Sequence, residues 1–174
     1  MMDMKTLLKF LLVIIFSFFI INNLSAQSKR KERIAKKIHV IKKMIDDTNY
    51  VFIANTANPM RGGQKMLTSE YDFIVKKDSI KSYLPYYGTS YSAPNDPTDN
   101  EGGIKFTSTK FSYKVKQAKN GGWDIEIKPN DGNVINWRNV QSINLSISPE
   151  GYASLNVNSS NRDPITFSGE IISR

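Results

Sequence analysis

From Phe111 onward, apolar and polar side chains take strict turns: Phe111, Tyr113 and Val115 against Ser112, Lys114 and Lys116, then Trp123, Ile125 and Ile127 against Asp124, Glu126 and Lys128. A step of two puts successive side chains on opposite faces of an extended chain, so each run predicts a strand with one dry and one wet face. Asn120-Gly121-Gly122 separates the two runs, and its glycines supply the positive φ that a tight hairpin turn requires. Ile143, Leu145 and Ile147 continue the pattern, which crosses the turn Pro149-Glu150-Gly151 into Ala153, Leu155 and Val157. A final strand, Ile165 to Ile171, follows Asn161-Arg162-Asp163-Pro164. Upstream, Tyr50 to Ala54 is closed by Asn58-Pro59 and Arg61-Gly62-Gly63, while Tyr71 to Val75 and Ile80 to Leu84 flank the polar turn Lys76-Lys77-Asp78-Ser79.

Such a set, about eight strands with one apolar face each, must close into a barrel or split into two packed sheets. No strand alternates with a helix, which excludes a parallel α/β sheet. The expectation is an all-β fold, a small antiparallel β-barrel with one N-terminal amphipathic helix, because closure removes exposed edges. A β-sandwich is the alternative.

The N-terminal segment has a different logic. Lys5 and Lys9 precede an apolar run from Phe10 to Ile21, followed by Leu24-Ser25-Ala26, which reads as a signal peptide cleaved after Ala26. At about 1.5 Å per residue the run spans about 18 Å, short of the ~30 Å hydrocarbon core. There is no cysteine, hence no disulfide, thiol nucleophile, thiolate metal site or lipid-bearing cysteine at the cleavage point. The expected organisation is signal peptide 1–26, basic amphipathic helix 27–47 and barrel domain 48–174, working in a periplasm or outside the cell as a monomer.

In the helix, Ile34, Ile38, Ile41 and Ile45 recur at steps that hold them within about 60° of one another, an apolar stripe expected to dock on the domain. Residues 27–45 carry eight Lys or Arg against Glu32, whereas residues 46–174 carry fourteen basic and fourteen acidic side chains. The basicity belongs to one short segment. A nucleic-acid reader spreads positive charge over its folded body, so no nucleic-acid partner is expected. The basic face suits either weak contact with an anionic membrane surface or plain solvation. Asp46 and Asp47 at the end of this run, where the macrodipole disfavours anions, mark its stop.

The segments YDFIVKKDSIKSYLPYYG, APNDPTDNEGGIKF, GGWDIEIKP and ASLNVNSSNRDPITFSGEI resemble the secreted bacterial family known as domain of unknown function 4251, from about Asp47 to Ile171. The most specific elements are Tyr83-Leu84-Pro85-Tyr86-Tyr87-Gly88 and Asn161-Arg162 with Phe167-Ser168-Gly169. The resemblance implies a lipocalin-like β-barrel and assigns no activity to any residue.

Four tyrosines are the candidate site. Pro85 ends regular pairing after Leu84, so Tyr83, Tyr86, Tyr87 and Tyr91 stand where a strand enters the long loop from Gly88 to Gly103. Rings there either line a ligand pocket or fold the loop onto the core. Asp96, Asp99 and Glu101 in the loop lack EF-hand spacing and read as solvated carboxylates. His39 has no partner for a triad or a zinc site. Asp124 and Glu126 read as the wet side of their hairpin rather than an acid/base pair. No P-loop, nucleophile elbow or dinucleotide fingerprint occurs, and no catalytic residue, metal or cofactor is expected. The functional expectation is an exported, non-enzymatic protein binding a small apolar or amphipathic molecule or a peptide at the tyrosine end. The alternative is a filled barrel that presents its tyrosine loop or its basic helix to an envelope protein or other envelope component.

Overall fold

The computed structural model describes residues 29–91, 103–132, 134 and 139–173. The expected signal peptide, residues 1–26, and the loop carboxylates Asp96, Asp99 and Glu101 lie outside them. The chain divides into two units, Met1–His39 and Val40–Arg174.

Helix α1 comprises residues 29–46. In the first unit its described residues are 29–39, with Lys36 Nζ 2.7 Å from Glu32 at the i,i+4 spacing that suits an exposed ion pair. Ile34 is 39% exposed. The full burial expected of the isoleucine stripe is reached instead in the second unit, at Ile41 (3%) and Ile45 (2%). Ile41 reaches the turn glycine Gly151: a Cβ there would lie 2.8 Å from its Cδ1. The helix ends in a Schellman arrangement, with Asn49 N donating to Met44 O and Thr48 N to Ile45 O. Thr48 takes the left-handed conformation (φ 48°), a position that usually belongs to glycine.

Nine strands follow: β1 (Tyr50–Pro59), β2 (Lys65–Val75), β3 (Ile80–Leu84), β4 (Ile104–Ser108), β5 (Phe111–Gln117), β6 (Trp123–Pro129), β7 (Val140–Ile147), β8 (Tyr152–Ser159) and β9 (Ile165–Ile172). They form one sheet in the order β4-β3-β2-β1-β9-β8-β7-β6-β5, every pairing antiparallel. Counting reversals from β1, both β4 and β5 run opposite to it, hence parallel to each other. Yet they are the two edges of the sheet, and only Thr109 and Lys110 separate them. Such a short link between strands of the same direction makes Ile104–Gln117 one bent strand that pairs first with β3 and then with β6. The sheet is thereby curled into a nearly closed antiparallel barrel.

This explains the difference from the expected eight strands. The sequence reading ends the tyrosine loop at Gly103 and counts nothing before Phe111, whereas Ile104–Ser108 is β4, the first part of that bent strand. Asp131 holds the bend: its carboxylate accepts Thr109 N (3.1 Å) and Ser108 Oγ (3.2 Å). The Thr109 amide, then Ser108 and Lys110, hold the Asp131 carboxyl below its ordinary range despite some desolvation.

Alternation fills the interior. Ile125 pairs with Leu145, Leu145 with Leu155 and Leu155 with Phe167, so one inward row runs across four strands, none of its side chains more than 2% exposed. Phe52, Phe73, Ile80 and Leu84 are equally closed to water on the other side, and Trp123 joins the core at 7%. Tyr50 is wholly buried, its hydroxyl 3.1 Å from that of Tyr113. Burial, then the neighbouring phenol, pushes Tyr50 well above the ordinary phenol range. Polar groups inside find partners as burial demands: Ser82 Oγ donates to Ile104 O at 2.6 Å. A bulge between Ala54 and Thr56 of β1 faces β9, where Gly169 is obligatory. A Cβ there would stand 1.8 Å from Ile53 O.

Candidate functional site

The candidate tyrosines occupy two different places. In β3, Ile80, Ser82 and Leu84 face inward, so Tyr83 points outward and is 42% exposed. Its ring stacks on Tyr71 (centroids 5.8 Å apart), and its cross-strand neighbour Lys105 places Nζ 4.7 Å from the ring centre. Tyr87, half-buried, carries Lys65 Nζ at 5.5 Å. Tyr71, Tyr83 and Lys105 thus form an outward cluster on β2, β3 and β4, and Lys65 with Tyr87 forms a second cation–ring contact where the chain leaves β3. Cation–π contacts of this exposed kind contribute about 0.5–1 kcal/mol each.

Tyr86 and Tyr91 instead clasp the connection between β8 and β9. After Pro85 the chain crosses to residues 161–163, where Ser90 and Arg162 form an antiparallel bridge, Tyr91 N donates to Asn161 O (2.7 Å) and Asp163 N donates to Thr89 O (3.1 Å). The Tyr86 hydroxyl has one proton and two acceptors at 3.0 Å, Thr89 O and Asp163 O. Tyr91 donates its hydroxyl to the Asp163 carboxylate. Arg162 lies over the Tyr86 ring, its guanidinium carbon 5.0 Å from the ring centre, and one of its terminal nitrogens donates to Gly103 O at 3.2 Å. A Cβ at Gly88 would lie 2.6 Å from the Tyr86 hydroxyl oxygen, so a side chain there would push the ring from its place in the clasp.

The phenols respond to this setting. Burial, then the charge of Asp163, raises Tyr86 above the usual phenol range, and Arg162 works against the rise. For Tyr91 the hydrogen bond to Asp163 is the main cause of a shift in the same direction. Both side chains therefore stay neutral donors at any physiological pH. The clasp does structural work, tying the first and last turns of the tyrosine loop, at Thr89–Tyr91 and Gly103, to β8–β9. Residues 92–102 of that loop lie outside the described residues.

Sequence reasoning singled out the tyrosines but assigned no role to Arg162 and Asp163, on which the clasp turns. Their signal was visible as a charged pair inside the turn Asn161-Arg162-Asp163-Pro164, of which Asn161-Arg162, with Phe167-Ser168-Gly169, is one of the two most specific elements of the family resemblance. The other is Tyr83 to Gly88, and the two meet in space.

Two further features lie on the outer surface. Across β5, β6 and β7, the outward rows Lys114–Glu126–Asn144 and Lys116–Asp124–Ser146 wall a shallow groove of about 420 Å³, floored by the strands at Val115, Ile125 and Leu145. Asp124 accepts a hydrogen bond from Ser146 Oγ (2.8 Å), and Glu126 pairs with Lys128 (2.7 Å), so both carboxylates are engaged on the wet side of their hairpin. His39 is exposed. Among the described residues, no three of His, Cys, Asp or Glu gather as a metal site.

A model of the DUF4251 family, a domain of unknown function, matches residues 32–171. No curated protein matches the chain. Among solved structures, the chain is similar to the crystal structure of a DUF4251 family protein from Bacteroides eggerthii DSM 20697. The likeness has a TM-score of 0.58 at 15% identity and covers 80% of this chain and 89% of that one, a likeness of fold. With the family model spanning nearly the whole described barrel and part of the helix, the chain belongs to the DUF4251 family.

Proposed function

We propose that this chain is an exported, non-enzymatic interaction module of the cell envelope that works through its outer surface rather than through a ligand held inside the barrel. One observation carries the reading: the inward side chains of β1, β3 and β6–β9, with Phe73 and Val75 of β2, are buried against one another, while Val115 of β5 and the first half of β2 lie open at the surface. A ligand-holding barrel needs an apolar cavity of roughly 300 Å³ or more. The candidate tyrosines agree with this. Tyr86 and Tyr91 spend their hydroxyls on the clasp, which leaves Tyr83 and Tyr87 as surface rings, each with a lysine over it. Aromatic side chains with nearby cations are the residue types enriched where proteins meet. The lipocalin-like architecture and release into a periplasm or the medium as a monomer belong to this same proposal.

In-cell photo-cross-linking tests it, with a photoreactive residue placed at position 83 or 87. The expected result is a discrete adduct of higher mass that disappears when Lys105 is changed to Glu. Recovery of uncross-linked chain alone, together with a stoichiometric small molecule in the mass spectrum of protein purified from its own envelope, would overturn it. That outcome would favour the alternative, a binder of small apolar or amphipathic molecules or peptides. The outer groove beside Lys114 and Asp124 would then be the place to look.

A further inference from the structure

We infer that the helical segment 29–39 docks on an anionic lipid surface; this names the partner of the interaction module just proposed and rests on that reading. The segment holds six cations, Lys29, Arg30, Lys31, Arg33, Lys36 and Lys37, against the single anion Glu32, and every one of these side chains is exposed. At about 100° per residue, Lys29, Arg30, Arg33, Lys36 and Lys37 fall within an arc of about 120°. Ile34 lies next to Arg30 on that circle and is 39% exposed. Glu32 is already neutralised by Lys36 at 2.7 Å.

A row of long, flexible cations edged by an exposed aliphatic side chain matches the boundary between lipid headgroups and acyl chains. There the charges stay among phosphates while the aliphatic group and the lysine stems reach inward. The match needs no shaped pocket, and the segment has none. It also accounts for the uneven charge distribution. Residues 46–174 are balanced at fourteen charges of each sign, so the attraction is confined to one stretch and would orient the molecule on a charged surface. A nucleic-acid partner would draw on basic groups over the body as well, and those are offset there.

Each Lys or Arg held near an anionic leaflet strengthens association about fivefold. Removing three of the five charges in Arg30→Gln/Arg33→Gln/Lys37→Gln should therefore weaken it about a hundredfold. The test is co-sedimentation of the exported chain, residues 27–174, with vesicles of phosphatidylcholine alone and of phosphatidylcholine containing one part in three phosphatidylglycerol. Binding to the anionic vesicles only, reversed at about 1 M salt where the screening length falls to about 3 Å, is the expected result. The triple variant should lose that binding with its thermal unfolding unchanged, since the side chains are exposed. Removing two cations elsewhere, in Lys114→Gln/Lys116→Gln on β5, should change it little.

Equal binding to neutral vesicles, insensitivity to salt, no binding at all, or equal loss in the β5 variant would each overturn the inference. So would cross-links from positions 30 and 33 that reach an acidic protein in preference to lipid. Adducts from position 83 that persist when vesicle binding fails would sink this inference while leaving the interaction reading intact.

Discussion

Strands β6–β9 and strands β2–β4 are made of the same kind of hairpin, yet they are held together differently. In β6–β9 alternate burial is nearly complete, interrupted at the shift between Val140 and Ser142 and at Gly169, and the row from Ile125 to Phe167 passes through four strands without a break. In β2 the first half, Lys65 to Glu70, is exposed or nearly so, and the pairing with β1 slips between Ala54 and Thr56. On that side stacked rings and cations over rings stand on the surface: Tyr71 on Tyr83, Lys105 over Tyr83, Lys65 over Tyr87. Where alternation is nearly complete, burial dominates register and stability, and cross-strand pairs such as Ser146–Asp124 and Asn156–Thr166 line the wet face. Where it lapses, aromatic and cation–ring contacts stand on the surface.

The contrast is sharpest in a pair of truncations. Leu145→Ala, at a site 1% exposed within the continuous row, should cost about 3–4 kcal/mol in chemical denaturation, the transfer term plus a cavity that neighbouring strands cannot close. Tyr83→Ala on the outer face should cost under about 1 kcal/mol. Comparable losses for the two would break the comparison. Next in size is Gly169→Ala, which drives a methyl group against Ile53 O and should destabilise by about 2–3 kcal/mol as the bulge shifts. Hydrogen exchange would place that damage on β1 and β9.

Smaller effects belong to the clasp. Tyr86→Phe removes a hydroxyl shared by Thr89 O and Asp163 O and should cost about 1 kcal/mol. Tyr91→Phe should cost less. Because both tyrosines end on Asp163, the double variant should depart from additivity, as neighbours sharing a partner do.

The smallest effect is a pH dependence. Asp131 is held below its ordinary range by the Thr109 amide first, so its contribution is complete above the unfolded carboxyl value near ~4 and fades as pH falls through the lower folded value. Asp131→Asn should flatten the acid limb of the stability profile without altering the plateau's shape near neutrality. An unchanged acid limb would remove the carboxylate from the account of the β4–β5 bend.

Much of this fold was legible in the sequence because alternation is a local signal. Ile143, Leu145 and Ile147 declare their inner face by themselves, and the hairpin at Asn120-Gly121-Gly122 is visible from its glycines. β4 escaped because Ile104–Ser108 buries its two ends and leaves the middle partly open, a pattern without clean alternation. The stripe of α1 was readable as a pattern but not in its extent, since periodicity shows which residues share a face and not how far that face stays covered. The clasp was hidden for a different reason. Tyr91 and Asp163 are separated by 72 positions, and no local rule joins a tyrosine after a proline to a carboxylate in a distant turn. The outer groove depends on the register of three strands, which becomes known only once they are paired.

A role confined to the outer surface requires a barrel interior occupied by its own side chains. Titrating the folded protein with a fluorescent fatty acid and with an anilinonaphthalene dye measures this directly. The filled interior predicts no saturable signal below the concentrations at which such probes adsorb to any protein surface. Saturable binding of one probe per chain, abolished by enlarging an inward residue as in Ala153→Leu and unaffected by changes at Tyr83 or Tyr87, would contradict it.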